Sequence, residues 1–259
     1  MHSHINFGYG WQWTYGYLVL TGIALPLFLL GWSRKWPKLL SAILGVVMLW
    51  SLAAFVVVRF GLDMNGRTRL PTESFLASGT GRVLDIGAGT GRSTLMVLEA
   101  RPRTFVVALD SFGRPYAQHF GDAGNGRPLV DQGRDRLLSN LRAAGVEQRA
   151  SVEAADMRQL PFAANTFDAI VSAYTFEHLG RNGIRESMVE ASRVLKPGGE
   201  FLLMVLAKDF WLTFVQGPLA MHGGLPRKGD WEGFLRDGGF QVVEAGTRPA
   251  TFYFLARKP

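Results

Sequence analysis

The sequence has no cysteine in its 259 residues. This absence excludes a disulfide scaffold, a thiolate site for zinc or iron–sulfur, and a cysteine nucleophile. Residues 1–59 contain four cations and no acidic residue. The remaining residues, 60–259, therefore hold 24 of the 28 cations and all 21 acids. A nucleic-acid-binding domain concentrates basic charge on its folded surface. The near balance of charge after residue 59 therefore argues against nucleic acid as a partner.

Two long runs near the N-terminus lack any charged residue: residues 14–32 and residues 39–58. At about 1.5 Å per residue, each is long enough to cross a hydrocarbon core of about 30 Å. Aromatic residues typical of a membrane interface flank the first run: Trp11, Trp13, Tyr15, Tyr17, Trp32 and Trp36. The short link at residues 33–38 forces the two helices into an antiparallel hairpin. We expect a membrane hairpin over residues 1–60; the alternative is a pair of buried helices packed on the soluble domain or on a partner subunit.

Residues 61–259 alternate between strand-like and helix-like segments. This alternation predicts one α/β domain with a doubly wound, mostly parallel sheet. The link at 246–250 is too short for a helical crossover, so the last two strands should be antiparallel. Residues 112–131 are rich in Gly, Pro and Asn and are interpreted as a long loop or lid. The predicted strands cover residues 82–86, 104–109, 150–153, 167–172, 200–206, 241–245 and 251–256, and the predicted helices 92–100, 133–144 and 183–194.

A glycine-rich motif follows the first of these strands, with Gly87, Gly89 and Gly91 at alternate positions before a helix. Glycines there allow a sharp turn and leave no Cβ against a ligand. The third glycine of the dinucleotide fingerprint would stand at Arg92 and is absent, and a tight strand–helix turn without a ligand is the simpler alternative. Two acidic positions favour a ligand. Asp110 ends the second strand, where a carboxylate can accept both ribose hydroxyls, and Asp156 with its neighbour Met157 can flank a purine ring.

Two further segments follow in order: Leu160-Pro161-Phe162 before Phe167-Asp168, and Arg193-Val194-Leu195-Lys196-Pro197-Gly198-Gly199 before the fifth strand. With them, the sequence from about 82 to 257 resembles the class I S-adenosylmethionine-dependent methyltransferases. The resemblance implies a Rossmann-like seven-stranded sheet with an antiparallel last strand, and S-adenosylmethionine as the cofactor. It implies that the three glycines contact the methionine part of the cofactor and that Asp85 supports its charged end. Asp110 would bind the ribose, Asp156 and the Met157 amide would bind the adenine, and Tyr174 would lie near the sulfonium. Ala88 and Ser111, which are neighbours of these positions, would also bind the cofactor.

Candidate catalytic residues are Tyr174, Glu177 and His178, which follow the fourth strand at the edge where an acceptor should lie. The alternative for Glu177 and His178 is local capping or pairing at a helix start. Ser172-Ala173-Tyr174-Thr175 stands where some relatives carry Asn/Asp-Pro-Pro-Tyr, which argues against methylation of planar amide or exocyclic nitrogens. Further candidates are Tyr116 and His119 in the lid, His222 in a later loop, and the pair His2 and His4, for which no third metal ligand is near. We therefore expect no metal site.

The cofactor motif behind an apolar hairpin predicts a membrane-anchored methyltransferase acting on a lipid-soluble or membrane-associated acceptor. A lipid head group, a quinone-like or isoprenoid molecule and a small volatile acceptor all remain open. Two alternatives belong to other classes: a non-catalytic membrane assembly or binding protein with a methyltransferase-like scaffold, and a methyltransferase of a membrane protein partner. The apolar cluster of Phe210, Trp211 and Phe214 is either core packing or a lipid-facing pocket wall.

The orientation cannot be taken from charge, because three cations lie in the hairpin link and three directly follow the second helix. S-adenosylmethionine is kept in the cytosol, so we expect Met1 and the catalytic domain on the cytosolic side of a multi-pass membrane protein. Small residues in the hairpin would also allow a homo-oligomer through close helix packing: Gly22, Gly31, Gly45, Ala53 and Ala54.

Overall fold

The computed structural model describes residues 4–63, 66–112, 129–216 and 225–259. The described helices are α1 (Trp11–Ser33), α2 (Lys38–Val56), α3 (Arg92–Ala100), α4 (Leu129–Ala143), α5 (Arg181–Val194), α6 (Phe210–Gln216) and α7 (Lys228–Asp237). The described strands are β1 (Thr80–Ile86), β2 (Arg103–Asp110), β3 (Ala150–Ala154), β4 (Phe167–Ala173), β5 (Leu195–Leu206), β6 (Gln241–Arg248) and β7 (Thr251–Arg257).

The chain divides into two compact units, and their limits differ from the predicted boundary between residues 60 and 61. The described residues of the first unit, here the sheet unit, are 4–8, 67–112, 129–209 and 225–259. The hairpin unit comprises described residues 9–63, 66 and 210–216. The segment before the first apolar helix therefore belongs with the sheet, and α6 belongs with the hairpin.

In the hairpin unit, α1 and α2 pair as the uncharged runs predict, and a π-helical turn at Val57–Leu62 extends α2. Both helices are long and apolar enough to cross a membrane. Small and hydroxyl-bearing residues lie between them: Ala54 and Ser51 are fully buried, and the Thr21 and Ser51 hydroxyls are 2.7 Å apart. Large side chains such as Leu39 and Trp32 point outwards, with 74% and 75% of their surface exposed.

The sheet unit contains a seven-stranded sheet in the order β3-β2-β1-β4-β5-β7-β6. Strands β1 to β5 pair in parallel, while β7 runs antiparallel to both β5 and β6. This confirms the predicted fold class and the antiparallel last strand. Two strand limits differ from the prediction by three residues or more. Strand β5 starts at Leu195, where it pairs with Phe167, rather than at 200, and β6 continues to Arg248, so that only two residues form the final turn.

The period-two alternation of the strands separates two layers of core. Alternate residues such as Leu84 and Ile86 join one cluster with Met188 of α5 and Trp231 of α7. The residue between them, Asp85, points to the opposite face, where it contacts α3. Helices therefore cover both faces of the sheet, and the strands are buried on both sides, as expected for parallel sheets.

Candidate methyl-transfer site

The glycine turn after β1 has a left-handed backbone at all three glycines: φ is +77° at Gly87, +51° at Gly89 and +90° at Gly91. A Cβ at Gly87 would overlap the Thr175 side chain, and one at Gly91 would lie 3.1 Å from Leu137 Cγ. Glycine is therefore required at these two positions by the backbone and by protein neighbours, in addition to any ligand.

Asp110 lies at the end of β2 and is hydrogen-bonded to this turn. The Gly89 amide donates to Asp110 Oδ2 at 2.8 Å, and the Ser111 amide donates to Oδ1 at 2.7 Å. The amides of Gly87 and Ala88 both donate to the Leu109 carbonyl. Burial raises the pKa of the Asp110 carboxyl above its ordinary value. The residues predicted to hold the methionine part and the ribose are thus held together at one edge of the sheet.

Asp85 is completely buried, and its carboxylate accepts hydrogen bonds from the hydroxyls of Ser93 and Thr94, at 2.6–2.9 Å. Burial raises the pKa of Asp85 to about 7. These bonds anchor the first turn of α3 directly behind the glycine turn. The carboxyl therefore has a structural role that the sequence did not predict, and direct contact with the charged end of the cofactor stays a prediction.

Asp156 lies just after β3, and the amide of its neighbour Ala155 donates to the Asp110 carbonyl at 3.1 Å. This bond brings the predicted adenine segment beside the predicted ribose ligand. The Asp156 carboxylate is exposed and paired with Arg158 at 2.6 Å, and this hydrogen bond lowers the pKa of Asp156. Met157 is partly buried against the main core cluster.

The three candidate catalytic residues after β4 have different surroundings. Tyr174 has a left-handed backbone (φ +56°), and its hydroxyl is 2.7 Å from Thr251 Oγ1 at the start of β7. His178 is exposed. Glu177 accepts a hydrogen bond at Oε1 from the Leu206 amide at 3.1 Å, while Oε2 is buried without a partner among the described residues. Burial raises the pKa of Glu177 to about 7, so this side chain has the properties of a group that holds or moves a proton near neutral pH.

The structure also brings residues to the site that the sequence did not indicate. Thr175 covers Gly87 and donates to its carbonyl at 3.1 Å. The segment before α1 lies beside the glycine turn. The Asn6 amide donates to Asn140 Oδ1 at 2.9 Å, Asn140 Nδ2 donates to the carbonyls of Asn6 and Thr90, and Thr90 Oγ1 donates to the Phe7 carbonyl.

Phe7 itself is 4% exposed, and the Arg92 guanidinium lies 5.9 Å from the centre of its ring. No sequence signal identifies this contact, because a single aromatic residue near a terminus has no periodic pattern. We call residues 5–8 the N-terminal strap.

Four candidate residues from the sequence lie outside the described residues: His2, Tyr116, His119 and His222. Most of the expected lid also lies outside them. His4 is exposed. Within the described ranges, no group of three or more His, Cys, Asp or Glu residues could hold a metal ion.

Comparison with known proteins agrees with this geometry. A family model described as a methyltransferase domain matches residues 130–203. Over 211 residues the chain is 28% identical to a ubiquinone/menaquinone biosynthesis C-methyltransferase UbiE of Syntrophotalea carbinolica, an alignment that covers 72% of this chain and 79% of the relative. These matches support a class I S-adenosylmethionine-dependent methyltransferase. A second relative, a demethylmenaquinone methyltransferase of Corynebacterium glutamicum, is 32% identical over 143 residues, which are 55% of this chain and 49% of the relative.

Solved structures share the fold of this methyltransferase. The [4+2]-cyclase SpnF superposes with a TM-score of 0.54 at 17% identity, covering 72% of this chain and 78% of that one. The S-adenosylmethionine-dependent methyltransferase SibL gives 0.51 at 20% identity, covering 85% and 59%. At these identities the likeness extends to the fold alone.

The residues of the glycine turn fit S-adenosylmethionine. Asp110 Oδ2 accepts the Gly89 amide, and Oδ1 accepts the Ser111 amide and, at 3.5 Å, the Ser111 hydroxyl. A carboxylate offers about four acceptor positions, so Oδ2 keeps a position for a ribose hydroxyl. S-adenosylmethionine is the cofactor of this methyltransferase, and the specific contacts of each residue remain predictions.

Proposed function

We propose that the methyltransferase anchors in a membrane through its hairpin and methylates a hydrophobic acceptor dissolved there. A quinone-type ring methylated on carbon is the first candidate, because relatives are named as C-methyltransferases of ubiquinone and menaquinone biosynthesis. The observation that carries the proposal is the exposed apolar surface of a hairpin continuous with a cofactor-binding domain.

The hairpin surface supports lipid as its surroundings. Along both helices, large apolar side chains are exposed at 36–75% of their surface, including Leu27, Trp32, Leu39 and Leu49. Soluble proteins rarely expose a continuous apolar patch of this extent. Helices packed on the soluble domain would hide these side chains, and the exposed side chains argue against that alternative. The other alternative, helices covered by a partner subunit, is addressed by the test below.

The two ends of the hairpin support one orientation. Described residues 4–8 precede α1 and residues 67–112 follow α2, and both segments belong to the sheet unit. A hairpin whose two ends join one folded domain must begin and end on the same side of a bilayer. Since S-adenosylmethionine is a cytosolic cofactor, we place that side in the cytosol and residues 33–38 outside.

The proposed chemistry assigns a distinct role to each part of the site. S-adenosylmethionine supplies a methyl group on a sulfonium sulfur. The glycine turn and Asp110 would bind the cofactor, and holding both reactants in place would supply much of the rate acceleration. Methylation of an aromatic ring carbon would form a C–C bond as the sulfur–methyl bond of the sulfonium breaks, and the ring C–H bond would then break, so a proton must leave the acceptor.

Glu177 is the side chain best suited to take that proton. Its Oε2 atom lacks a partner among the described residues, and its pKa of about 7 keeps the group near half ionised at neutral pH. The bond from the Leu206 amide to Oε1 fixes the side chain while leaving the other oxygen free.

The test is incubation of the full-length protein in its native membranes with methyl-labelled S-adenosylmethionine, followed by separation of lipid and protein. We expect label in the lipid extract, in a component that co-migrates with quinones, and loss of that label in Glu177→Gln. The matched control is Glu186→Gln, because Glu186 is an exposed carboxylate on α5.

Other outcomes favour the alternatives. Label in a membrane protein would favour a protein acceptor. Cofactor binding without any transfer would favour a non-catalytic assembly protein.

A further inference from the structure

Helix α6 is a short helix that follows the sheet strand β5 yet belongs to the hairpin unit. Its sequence, FWLTFVQ, contains no charged residue. Two side chains of the hairpin bind its C-terminal carbonyls: Trp50 Nε1 donates to the Phe214 carbonyl, and the Tyr17 hydroxyl donates to the Val215 carbonyl, both at 2.9 Å.

These bonds fix the level of α6 along the hairpin. Tyr17 lies six residues after Trp11, the start of α1, which corresponds to a rise of about 9 Å at 1.5 Å per residue. The Tyr17 and Trp50 rings are 6.0 Å apart, so both anchors lie at the same level. Helices that lie in a membrane interface bury their apolar face about 5–10 Å into the boundary between headgroups and acyl chains. The rise of about 9 Å from Trp11 to Tyr17 falls in this range.

Helix α6 buries apolar side chains on one face and exposes large aromatic side chains on the other. Leu212 and Val215 are each 8% exposed. On the outer face, Phe210 is 68% exposed and Trp211 41%, and the Phe210 ring lies 5.6 Å from that of Phe214 in a stacked arrangement. Thr213 is also exposed, so the exposed surface of α6 combines two large aromatic side chains with one hydroxyl, as is typical of a helix in a membrane interface.

We propose that α6 is a membrane-interfacial helix whose outer face, formed by Phe210, Trp211 and Phe214, contacts acyl chains of the leaflet in which α1 begins. The lipid surface is continuous with that of the hairpin, because α6 is held to the hairpin by two side chains. This inference rests on the proposed membrane hairpin and adds a third contact with the bilayer.

The position of α6 in the chain gives this contact a consequence for the acceptor. Strand β5 ends at Leu206, whose amide binds Glu177. Four residue steps separate Leu206 from Phe210, which span at most about 14 Å. An acceptor in the leaflet around α6 would therefore lie beside a segment that is only four residues along the chain from the strand end that holds the proposed base.

The absence of native cysteine permits a direct test with single labels. A nitroxide is attached at Phe210→Cys in the full-length protein, reconstituted in vesicles of phosphatidylcholine and phosphatidylglycerol. Its collision rates with oxygen, which concentrates in lipid, and with a water-soluble nickel chelate are measured by electron paramagnetic resonance. The lipid control is Leu27→Cys in α1, and the water control is Val189→Cys, since Val189 is 56% exposed on α5.

We expect the ratio of oxygen to nickel collisions at position 210 to resemble that at 27 and to exceed that at 189 several-fold. A label at 210 that resembles 189, while 27 remains in lipid, would overturn the interfacial helix and leave the hairpin intact. If 27 also resembles 189, the membrane hairpin itself fails.

Discussion

The backbone amide of Gly89 donates a hydrogen bond to the carboxylate of Asp110, with 2.8 Å between the nitrogen and Oδ2. One residue thus connects the turn after β1 with the end of β2, so the proposed ribose ligand also sets the shape of the glycine turn. A carboxylate with two fixed amide partners needs little rearrangement when a ligand binds, which reduces the cost of ordering the site.

The first prediction concerns this carboxylate. Asp110→Ala should weaken S-adenosylmethionine binding by about 1–3 kcal/mol, because it removes the ribose acceptor and leaves the Gly89 and Ser111 amides without their partner. Isothermal titration calorimetry of the full-length protein measures the change. Asp237→Ala, which alters an exposed acid at the end of α7, is the control. Equal affinities in the two variants would remove Asp110 from the ribose site.

The second prediction separates backbone strain from steric overlap in the glycine turn. Gly87→Ala places a Cβ at φ +77° and into the Thr175 side chain, whereas Gly145→Ala has a similar φ of +68° and nothing within 4 Å. Both should lose about 1 kcal/mol of stability from the left-handed backbone. Only Gly87→Ala should lose further stability, from the overlap with Thr175, and adding Thr175→Ala to it should restore part of that additional loss. Denaturant unfolding gives the free energies; identical losses at 87 and 145 would mean that the overlap is relieved by a side-chain rotation.

The third prediction is a pH dependence. Because burial raises the pKa of Glu177 to about 7, the carboxylate form needed for a base should increase as pH rises through 7. The ratio kcat/KM should therefore rise up to about pH 7 and then level off. Glu177→Gln should lower it by about 100-fold or more, the usual range for loss of a general base, and remove the rising limb. A rising limb that persists in Glu177→Gln would assign the titration to another group.

The fourth prediction concerns the N-terminal strap. Phe7→Ala should lower the free energy of unfolding by about 1.5–3 kcal/mol, the value for exposing a buried aromatic side chain, since Phe7 is 4% exposed. Because Thr90 of the glycine turn binds the Phe7 carbonyl, cofactor affinity should also fall. The control is Trp13→Ala, at a residue that is 59% exposed. If Phe7→Ala matches this control in detergent solution, the strap contributes nothing to the domain.

The fifth prediction is the topology. Cysteines introduced at the exposed positions Ser33 and Ser78 should differ in intact cells: a membrane-impermeant thiol reagent should label Ser33→Cys and spare Ser78→Cys. Permeabilised cells provide the control, in which both should react. Labelling of Ser78→Cys alone would reverse the orientation and place the cofactor site outside the cytosol.

Much of the fold follows from local pattern in the sequence. Uncharged runs predict α1 and α2 because length and hydropathy are properties of the segment alone. Alternation of strands and helices predicts the sheet, and α3 spans residues 92–100 as the pattern indicates. The motif from Asp85 to Gly91 predicts where a cofactor lies, since its spacing is set by one turn of the backbone.

Tertiary structure decided the details that depend on residues distant in sequence. The Asn6 and Asn140 pair, 134 residues apart, attaches the strap to the sheet unit, and Trp50 holds α6 to the hairpin across 164 residues. Glu177 and His178 are neighbours with equal standing in the sequence. Among the described residues, only the packing around β5 buries one Glu177 oxygen without a partner, while His178 stays exposed. Burial of each side chain is set by what the rest of the chain brings to it.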